Sequence, residues 1–187
     1  MKNIVIFASG SGTNAEQIIL HFKRDKNAKI VAILSNNEHA GVLERAKNHQ
    51  IPSFTFTKTQ LNSNFVLDQL HSLKPDLIIL SGFLLKFPEN ILKIYPNKVI
   101  NIHPALLPNY GGKGMYGLNV HKAVLANKEQ YTGITIHYVN EHYDEGAIIK
   151  QEKTFVGDCT SPEEIANKVH ELEYAFFAPT ISEILNE

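Results

Sequence analysis

The sequence contains a single cysteine and almost no net charge, and each shortage excludes a class of protein. One cysteine, Cys159, cannot form an internal disulfide and favours a reducing compartment. We therefore expect a cytoplasmic protein in which Cys159 has no catalytic role. The 18 lysines and arginines against 19 acidic residues give a formal net charge of -1, so the basic surface of a general nucleic-acid-binding protein is absent. Any anionic ligand must be bound by local groups.

Long apolar runs, internal repeats and linker-like segments are also missing. The run that opens the chain, within MKNIVIFASGSG, is too short for a signal peptide or a membrane span and is typical of a first β-strand. At 187 residues the chain has the length of one ordinary domain with its own core. The sequence therefore predicts a single domain over residues 1–187 with no membrane partner.

Short apolar segments separated by helical patterns indicate an α/β fold. The segments lack strict alternation, as expected of parallel strands that are covered on both faces. They lie at residues 3–8, 29–34, 76–81 and 98–102. The helical patterns lie at residues 14–24, 40–49 and about 60–73. This order predicts an open twisted sheet whose N-terminal half is parallel and Rossmann-like.

The second half of the chain has a different pattern. Residues 133–140 and 147–156 alternate more regularly, which predicts antiparallel strands appended to the parallel sheet. A final helix is predicted to begin after Ser161, where a capping box has Pro162 at the first helical position. The apolar face of this helix is formed by Ile165, Val169, Leu172 and Phe176.

A glycine-rich segment, ASGSGTNAEQII, directly follows the first predicted strand and opens the first helix. Glycines let the backbone approach a ligand closely, and the free N–H groups of a helix N-terminus bind anions. Gly10, Gly12 and Ala15 also fit the dinucleotide pattern G-x-G-x-x-[GA]. The second strand, however, ends in Ser35-Asn36-Asn37 and lacks the acidic residue that binds an adenosine ribose. We therefore interpret the segment as a monophosphate site, with a ligand-free turn as the alternative.

Two polar side chains end the predicted strand at residues 98–102, within VINIHPALLPNY. Asn101 and His103 are two positions apart, so an extended backbone turns them to the same side. Because ligands of an open α/β sheet gather at the carboxyl ends of its strands, we expect both side chains to share a cleft with the glycine-rich segment. Pro104 and Pro108 stiffen the chain as it leaves the strand.

A third candidate, Asp144, lies in a loop that follows the predicted strand at residues 133–140. An aspartate against a histidine can orient the imidazole and favour its charged form, while an amide donates to a developing oxyanion. Together these groups predict acyl-type transfer between two bound substrates, because no G-x-S-x-G elbow or activated cysteine is present for covalent catalysis. Five other histidines have no such partner and are interpreted as structural: His21, His39, His49, His71 and His121.

Four segments resemble those of the folate-dependent formyltransferases, in the same order along the chain. They are SGSGTN at 9–14, SGFLL at 81–85, NIHPALLP at 101–108 and GITIHYVNEHYDEGAII at 133–149. The glycine loop with Asn14 resembles the member of the family that uses a ribonucleotide. The resemblance implies transfer of the formyl group of 10-formyltetrahydrofolate, a co-substrate, to the primary amine of glycinamide ribonucleotide in de novo purine biosynthesis, without a metal.

The resemblance also implies a role for individual residues. The catalytic residues would be Asn101, His103 and Asp144. The ribonucleotide site would contain Gly12, Thr13, Asn14, His170 and Glu173. The folate site would contain Leu84, Leu85, Lys86, Phe87, Asn101, Asn140, Glu141, His142, Tyr143 and Asp144. In the implied mechanism Asn101 and protonated His103 stabilise the oxyanion, and Asp144 organises a water for proton transfer to the leaving folate nitrogen.

The chain departs from the family pattern at two places. Leu85 and Lys86 stand where relatives often have an arginine, which affects the contact to the glutamate tail of the folate. The loop NYGGKGMYGLNVH, residues 109–121, is longer than the short proline-glycine version of many relatives.

Three other functions stay open at this point. Methionyl-tRNA formyltransferase shares the three catalytic residues but has an additional RNA-binding domain and a basic surface. Formyltetrahydrofolate hydrolase has an N-terminal regulatory domain, whereas this sequence begins at the first strand. A non-catalytic phosphate- or dinucleotide-binding module would leave Asn101, His103 and Asp144 without a function. The expected partners are small molecules, with no nucleic acid, and the sequence is compatible with a monomer or a homodimer.

Overall fold

A seven-stranded mixed sheet runs through the computed structural model, which describes residues 1–186. Its strands are β1 (Lys2–Phe7), β2 (Ala28–Ser35), β3 (Ser53–Thr55), β4 (Leu77–Leu80), β5 (Val99–His103), β6 (Tyr131–Tyr138) and β7 (Ile148–Phe155). They lie in the order β3-β2-β1-β4-β5-β6-β7, parallel from β3 to β5 and antiparallel from β5 to β7. The predicted α/β class, with antiparallel strands appended to a parallel half, is confirmed. The predicted domain end at residue 187 lies outside the described residues.

Helices connect these strands within residues 1–186. They are α1 (Thr13–Arg24), α2 (Gly41–Asn48), α3 (Lys58–Leu61), α4 (Asn64–Leu73), α5 (Glu89–Ile94), α6 (Leu118–Ala126) and α7 (Pro162–Asn186). The helix predicted over residues 60–73 is divided, because Ser63 Oγ accepts the Phe65 N–H at 3.2 Å and starts α4 afresh. The sequence prediction missed β3, α5 and α6, which are too short for a clear hydrophobic period. None of the described helices is long and apolar enough to cross a membrane.

The sheet is covered on both faces, which explains why its parallel strands lack strict alternation. Ile4 and Ile6 of β1 pack with residues of α1, α2, α6 and α7. Val5 and Phe7 pack on the opposite face with residues of α4 and α5. All four β1 side chains are fully buried, so β1 is the centre of the core and its carboxyl end is held rigidly.

The last helix begins as predicted, with one difference in its cap. Ser161 Oγ accepts the Glu164 N–H at 3.3 Å, and Pro162 is the first residue of α7. The Glu164 carboxylate, however, accepts the Thr160 N–H at 2.6 Å, so the reciprocal half of the predicted capping box is displaced by one residue. The predicted apolar face packs into the core through Ile165, Val169, Leu172 and Phe176.

A hydrogen-bond network around Thr135 holds the segment that leaves β5. Thr135 Oγ1, on β6, donates to Ala105 O at 2.7 Å and accepts the Leu107 N–H at 3.0 Å. The Gln151 side chain of β7 donates to Thr135 Oγ1 and to Leu107 O, each at 2.9 Å. Because Thr135 is fully buried, the antiparallel strands fix the direction in which the chain leaves β5.

We predict that Thr135→Val lowers the free energy of unfolding by about 2 kcal/mol or more, because the Leu107 N–H and the Ala105 carbonyl are then buried without this partner. Thr135→Ser keeps the hydroxyl and should lose much less. Urea unfolding of the two variants measures the difference. Equal stability of the valine and serine variants would contradict the assignment.

Candidate active site

A cavity of about 570 Å³ opens at the carboxyl ends of β1, β4 and β5. β1 lies between β2 and β4, so the order of the parallel strands reverses here. Open α/β sheets bind their ligands at such a point. The lining includes residues 10–14 after β1, 81–84 after β4 and 101–104 at the end of β5. The glycine-rich segment, Asn101 and His103 therefore share one cavity, as expected from the sequence.

The backbone of the glycine-rich segment is oriented by α2. Gly10 O accepts the Val42 N–H at 3.1 Å, and Ser11 O accepts from Arg45 Nε at 2.8 Å. In a planar trans peptide the N–H points opposite to the C=O, so the N–H groups of Ser11 and Gly12 point away from α2. Gly12 has a φ of 75°, and a Cβ on it would lie 2.5 Å from Val42. The free N–H groups here and in the first turn of α1 can bind an anion.

Asn14 and Glu173 are in contact at the cavity wall, although they are far apart in the sequence. Asn14 Nδ2 donates to Glu173 Oε2 at 2.8 Å, and His170 Nε2 lies 3.9 Å from the same oxygen. Glu173 is 7% exposed. Burial raises the pKa of its carboxyl group, against the opposite effects of Asn14 and His170. Glu173 is therefore a buried acceptor in the cavity and not a solvated surface residue.

The side chain of Asp144 lies beside His103. Its Oδ2 atom is 3.6 Å from His103 Nδ1, an electrostatic contact slightly longer than a hydrogen bond. The side chains are well buried, with exposed fractions of 4% for His103 and 12% for Asp144. Asn101 lines the same cavity. The structure thus brings together the three residues that the sequence analysis proposed as catalytic.

His137, which the sequence analysis did not single out, orients Asn101. The two residues are paired across β5 and β6, and Asn101 Nδ2 lies 3.1 Å from His137 Nε2. His137 Nδ1 lies 2.8 Å from the Tyr138 carbonyl oxygen, which can only accept, so Nδ1 carries the proton and Nε2 accepts from Asn101. Burial lowers the pKa of His137, in agreement with a neutral ring. The second amide hydrogen of Asn101 is left for a ligand.

The long loop after β5, residues 109–117, contacts both His103 and Asp144. His103 Nε2 donates to Tyr110 O at 2.7 Å, and the Gly112 N–H donates to Asp144 Oδ2 at 2.9 Å. The two ring nitrogens of His103 therefore both face oxygens that only accept. The doubly protonated imidazolium is the form that can donate to both.

The loop is held in place from outside the cavity. The Tyr110 hydroxyl donates to Glu129 Oε1 at 2.7 Å and accepts from Asn127 Nδ2 at 2.9 Å. Tyr110 and Asp144 have left-handed backbone conformations, with φ of 58° and 57°. Non-glycine residues adopt such conformations mainly where the surrounding contacts impose them, often at functional sites. The sequence analysis noted the length of this loop but not that it organises the proposed catalytic pair.

A smaller cavity of about 70 Å³ adjoins the first, and both are lined by Asn101, Tyr143 and Asp144. Other predicted folate residues also line it: Leu85, Lys86, Phe87, Asn140 and His142. Leu84 lines the larger cavity. One residue of the predicted folate site, Glu141, lines neither cavity. Its carboxylate lies on the exposed turn, 3.8 Å from His142 Nε2, and we remove it from the site.

His121, interpreted from the sequence as structural, lies in the wall of the larger cavity. Its residue is 3% exposed, and its Nδ1 atom is buried without a hydrogen-bond partner. Burial, followed by the charges of His170 and His103, lowers its pKa to about 4. His121 is therefore neutral near pH 7. The other four histidines interpreted as structural line neither cavity.

Comparison with known proteins agrees with this geometry. Residues 2–181 match the family model for formyl transferases. The chain is 35% identical over 193 residues to the chloroplastic phosphoribosylglycinamide formyltransferase of Arabidopsis thaliana, covering 100% of this chain and 66% of the relative. It is 32% identical over 191 residues to the enzyme of that name from Bacillus subtilis, covering 99% and 95%. A phosphoribosylglycinamide formyltransferase structure from Anaplasma phagocytophilum has a TM-score of 0.90 at 28% identity, covering 99% and 87%.

The chain belongs to the formyl transferase family. The family resemblance expected from the four sequence segments is confirmed. Within the family, the relatives and the solved structure just described are phosphoribosylglycinamide formyltransferases. The chain spans 66% of the length of the plant relative.

We predict that His121 makes the protein less stable as the pH falls from 6.5 towards 4. The imidazole takes up a proton near pH 6.5 in the unfolded chain, whereas its pKa of about 4 keeps it neutral in the folded protein. The unfolded state therefore binds more protons in this range, and the free energy of unfolding decreases by up to about 3 kcal/mol. Urea unfolding at pH 7 and pH 4 should show a smaller decrease for His121→Gln than for the unmodified protein. The same decrease in both would contradict the assignment.

Proposed function

We propose that the protein transfers the formyl group of 10-formyltetrahydrofolate to the primary amine of glycinamide ribonucleotide, in the biosynthesis of purines towards IMP. The observation that carries the proposal is the continuity of the larger cavity. It joins the anion site at residues 10–14 to Asn101, His103 and Asp144, and the smaller cavity meets it at Asp144. The names of the relatives from Arabidopsis thaliana and Bacillus subtilis support the same activity.

The ribonucleotide would lie along the larger cavity. Its phosphate would accept hydrogen bonds from the N–H groups of Gly12, Thr13 and Asn14, because these residues line the cavity at the N-terminus of α1. Its ribose hydroxyls would donate to the Glu173 carboxylate, with His170 beside it. This placement directs the amine away from the phosphate, towards the proposed catalytic residues.

The folate would occupy the smaller cavity and the adjoining wall of the larger one. Apolar residues such as Leu85 and Phe87 offer contacts for its ring system, whereas Asn140 offers an amide. Lys86 is the cation of this cavity lining. The formyl group would lie where the two cavities meet, beside Asn101 and Asp144. No group of three or more potential metal ligands occurs in residues 1–186, and the proposal includes no metal.

The reaction needs no covalent bond to the protein. The substrate amine attacks the formyl carbon, a C–N bond forms, and the carbonyl oxygen becomes an oxyanion. The free amide hydrogen of Asn101 would donate to this oxygen, and the His103 imidazolium would stabilise its charge. As the bond to the folate nitrogen breaks, that nitrogen takes up a proton and the amine loses one. Asp144 would organise a water that carries the proton between them.

We further propose that residues 1–187 form one domain. The cytoplasmic location expected from the single cysteine stays a prediction, and so does the choice between a monomer and a homodimer. Cys159 lines neither cavity, and burial raises the pKa of its thiol, so it has no part in the proposed reaction.

The direct test is to mix the protein with both substrates and follow loss of the folate formyl group by absorbance. We predict turnover that depends strictly on glycinamide ribonucleotide. Asn101→Asp, which removes the donor with little change in shape, should lower kcat by about 10²–10³. Asn48→Asp introduces the same charge on the exposed surface of α2 and should have normal kcat. Formyl loss without the ribonucleotide would indicate a hydrolase, and no formylated product would refute the proposal.

Gly111→Ala tests the role of the long loop. A Cβ at Gly111 would lie 2.6 Å from a Leu107 methyl and 3.3 Å from Asp144 Cβ, so the loop and Asp144 must move apart. Because small displacements of reacting groups cost up to about 10² in rate, we predict a fall in kcat of at least about 10-fold. The KM for the ribonucleotide should change little, since Gly111 is remote from the anion site along the loop. Unchanged kcat in a folded variant would show that the loop does not position the catalytic pair.

A further inference from the structure

The proposed reaction leaves one buried polar residue of the cavity without a function. His121 belongs to the first turns of α6 and is 3% exposed. The residues beside it in the helix, Val120 and Val124, pack into the core with residues of α7. The helix cannot turn this imidazole to solvent without exposing those valines. A polar ring held in this way at a cavity wall is a group for a ligand.

The two ring nitrogens of His121 are in different surroundings. Nδ1 is buried and has no hydrogen-bond partner in residues 1–186. Buried N–H groups without a partner are rarer in proteins than buried acceptors without one, so the proton of the neutral ring belongs on Nε2. Because the ring lines the cavity, Nε2 is the nitrogen that can meet a ligand, and it meets the ligand as a donor.

The position of His121 selects the part of the ligand that it faces. His103 and His170 are both near enough for their charges to act on it. The proposed function assigns His103 to the reacting formyl group and His170 to the ribose. His121 then faces the segment between ribose and amine, in which the glycinamide carbonyl oxygen is the acceptor.

We propose that His121 is a substrate-binding residue whose Nε2–H donates a hydrogen bond to the glycinamide carbonyl oxygen of the ribonucleotide. The inference rests on the proposed function for the identity of the ligand. It adds a residue that recognises the glycinamide group itself, whereas Gly12, Thr13, Asn14 and Glu173 recognise the phosphate and ribose. The bond would also hold the neighbouring amine in line with the formyl carbon.

The test compares two side chains that place an amide N–H at different positions. Gln can place its N–H where His121 has Nε2, whereas Asn places it near the Nδ1 position and cannot reach the ligand. Calorimetry measures binding of two probes, glycinamide ribonucleotide and ribose 5-phosphate, which lacks the glycinamide group. We expect His121→Asn to weaken binding of the ribonucleotide by about 3- to 10-fold, the effect of one neutral hydrogen bond. Binding of ribose 5-phosphate should not change.

The remaining variants make the outcome specific. His121→Gln should bind both probes within about 2-fold of the unmodified protein, because it keeps the donor. His121→Leu also lacks a donor and replaces the Asn variant if that one does not fold. His39→Gln changes an exposed histidine and serves as the control. Equal loss for both probes, or no loss in the Asn and Leu variants, would overturn the inference. If the unmodified protein does not bind the ribonucleotide, the proposed function itself fails.

Discussion

The contact between Asp144 and His103 is the constraint on which the rest of the site depends. The two residues are far apart in the chain, and they meet because β6 runs antiparallel beside β5 and returns the following loop to the cavity. Neither is positioned by the other alone. Gly112 donates to the carboxylate and Tyr110 accepts from the imidazole, so the long loop fixes the outer atom of each partner. The left-handed backbone of Tyr110 and Asp144 fits a site in which contacts, and not local preference, set the geometry.

The mixed sheet gives each substrate its own structural half. The parallel half ends in the glycine-rich segment, whose carbonyls are held by α2 so that its N–H groups are free for a phosphate. The antiparallel half contributes Thr135, His137 and Asp144. β5 belongs to both halves, and its two polar residues lie at the junction. Direct transfer requires both substrates to be bound at once in a fixed relation, which a rigid strand shared by two sites provides.

Much of this arrangement follows from local patterns in the sequence. The buried strands, the glycine-rich segment and the same-side spacing of Asn101 and His103 each depend on neighbours in the chain, and the structure agrees with them. His137 and His121 could not be assigned in this way. His137 matters because of its register opposite Asn101, and His121 because α6 carries it to the cavity; α6 itself has too weak a period to be predicted. The burial of Glu173 likewise depends on Asn14, which lies on another helix.

The most direct test of the account is a crystal structure with glycinamide ribonucleotide and a folate analogue that cannot transfer its one-carbon group. We predict that the phosphate lies on the N–H groups of residues 10–14. The amine should lie about 3–3.5 Å from the carbon that represents the formyl group, a distance that allows attack. Asp144 should stay between His103 and Gly112. A phosphate bound elsewhere, or an Asp144 turned away from His103 with both ligands in place, would contradict the account.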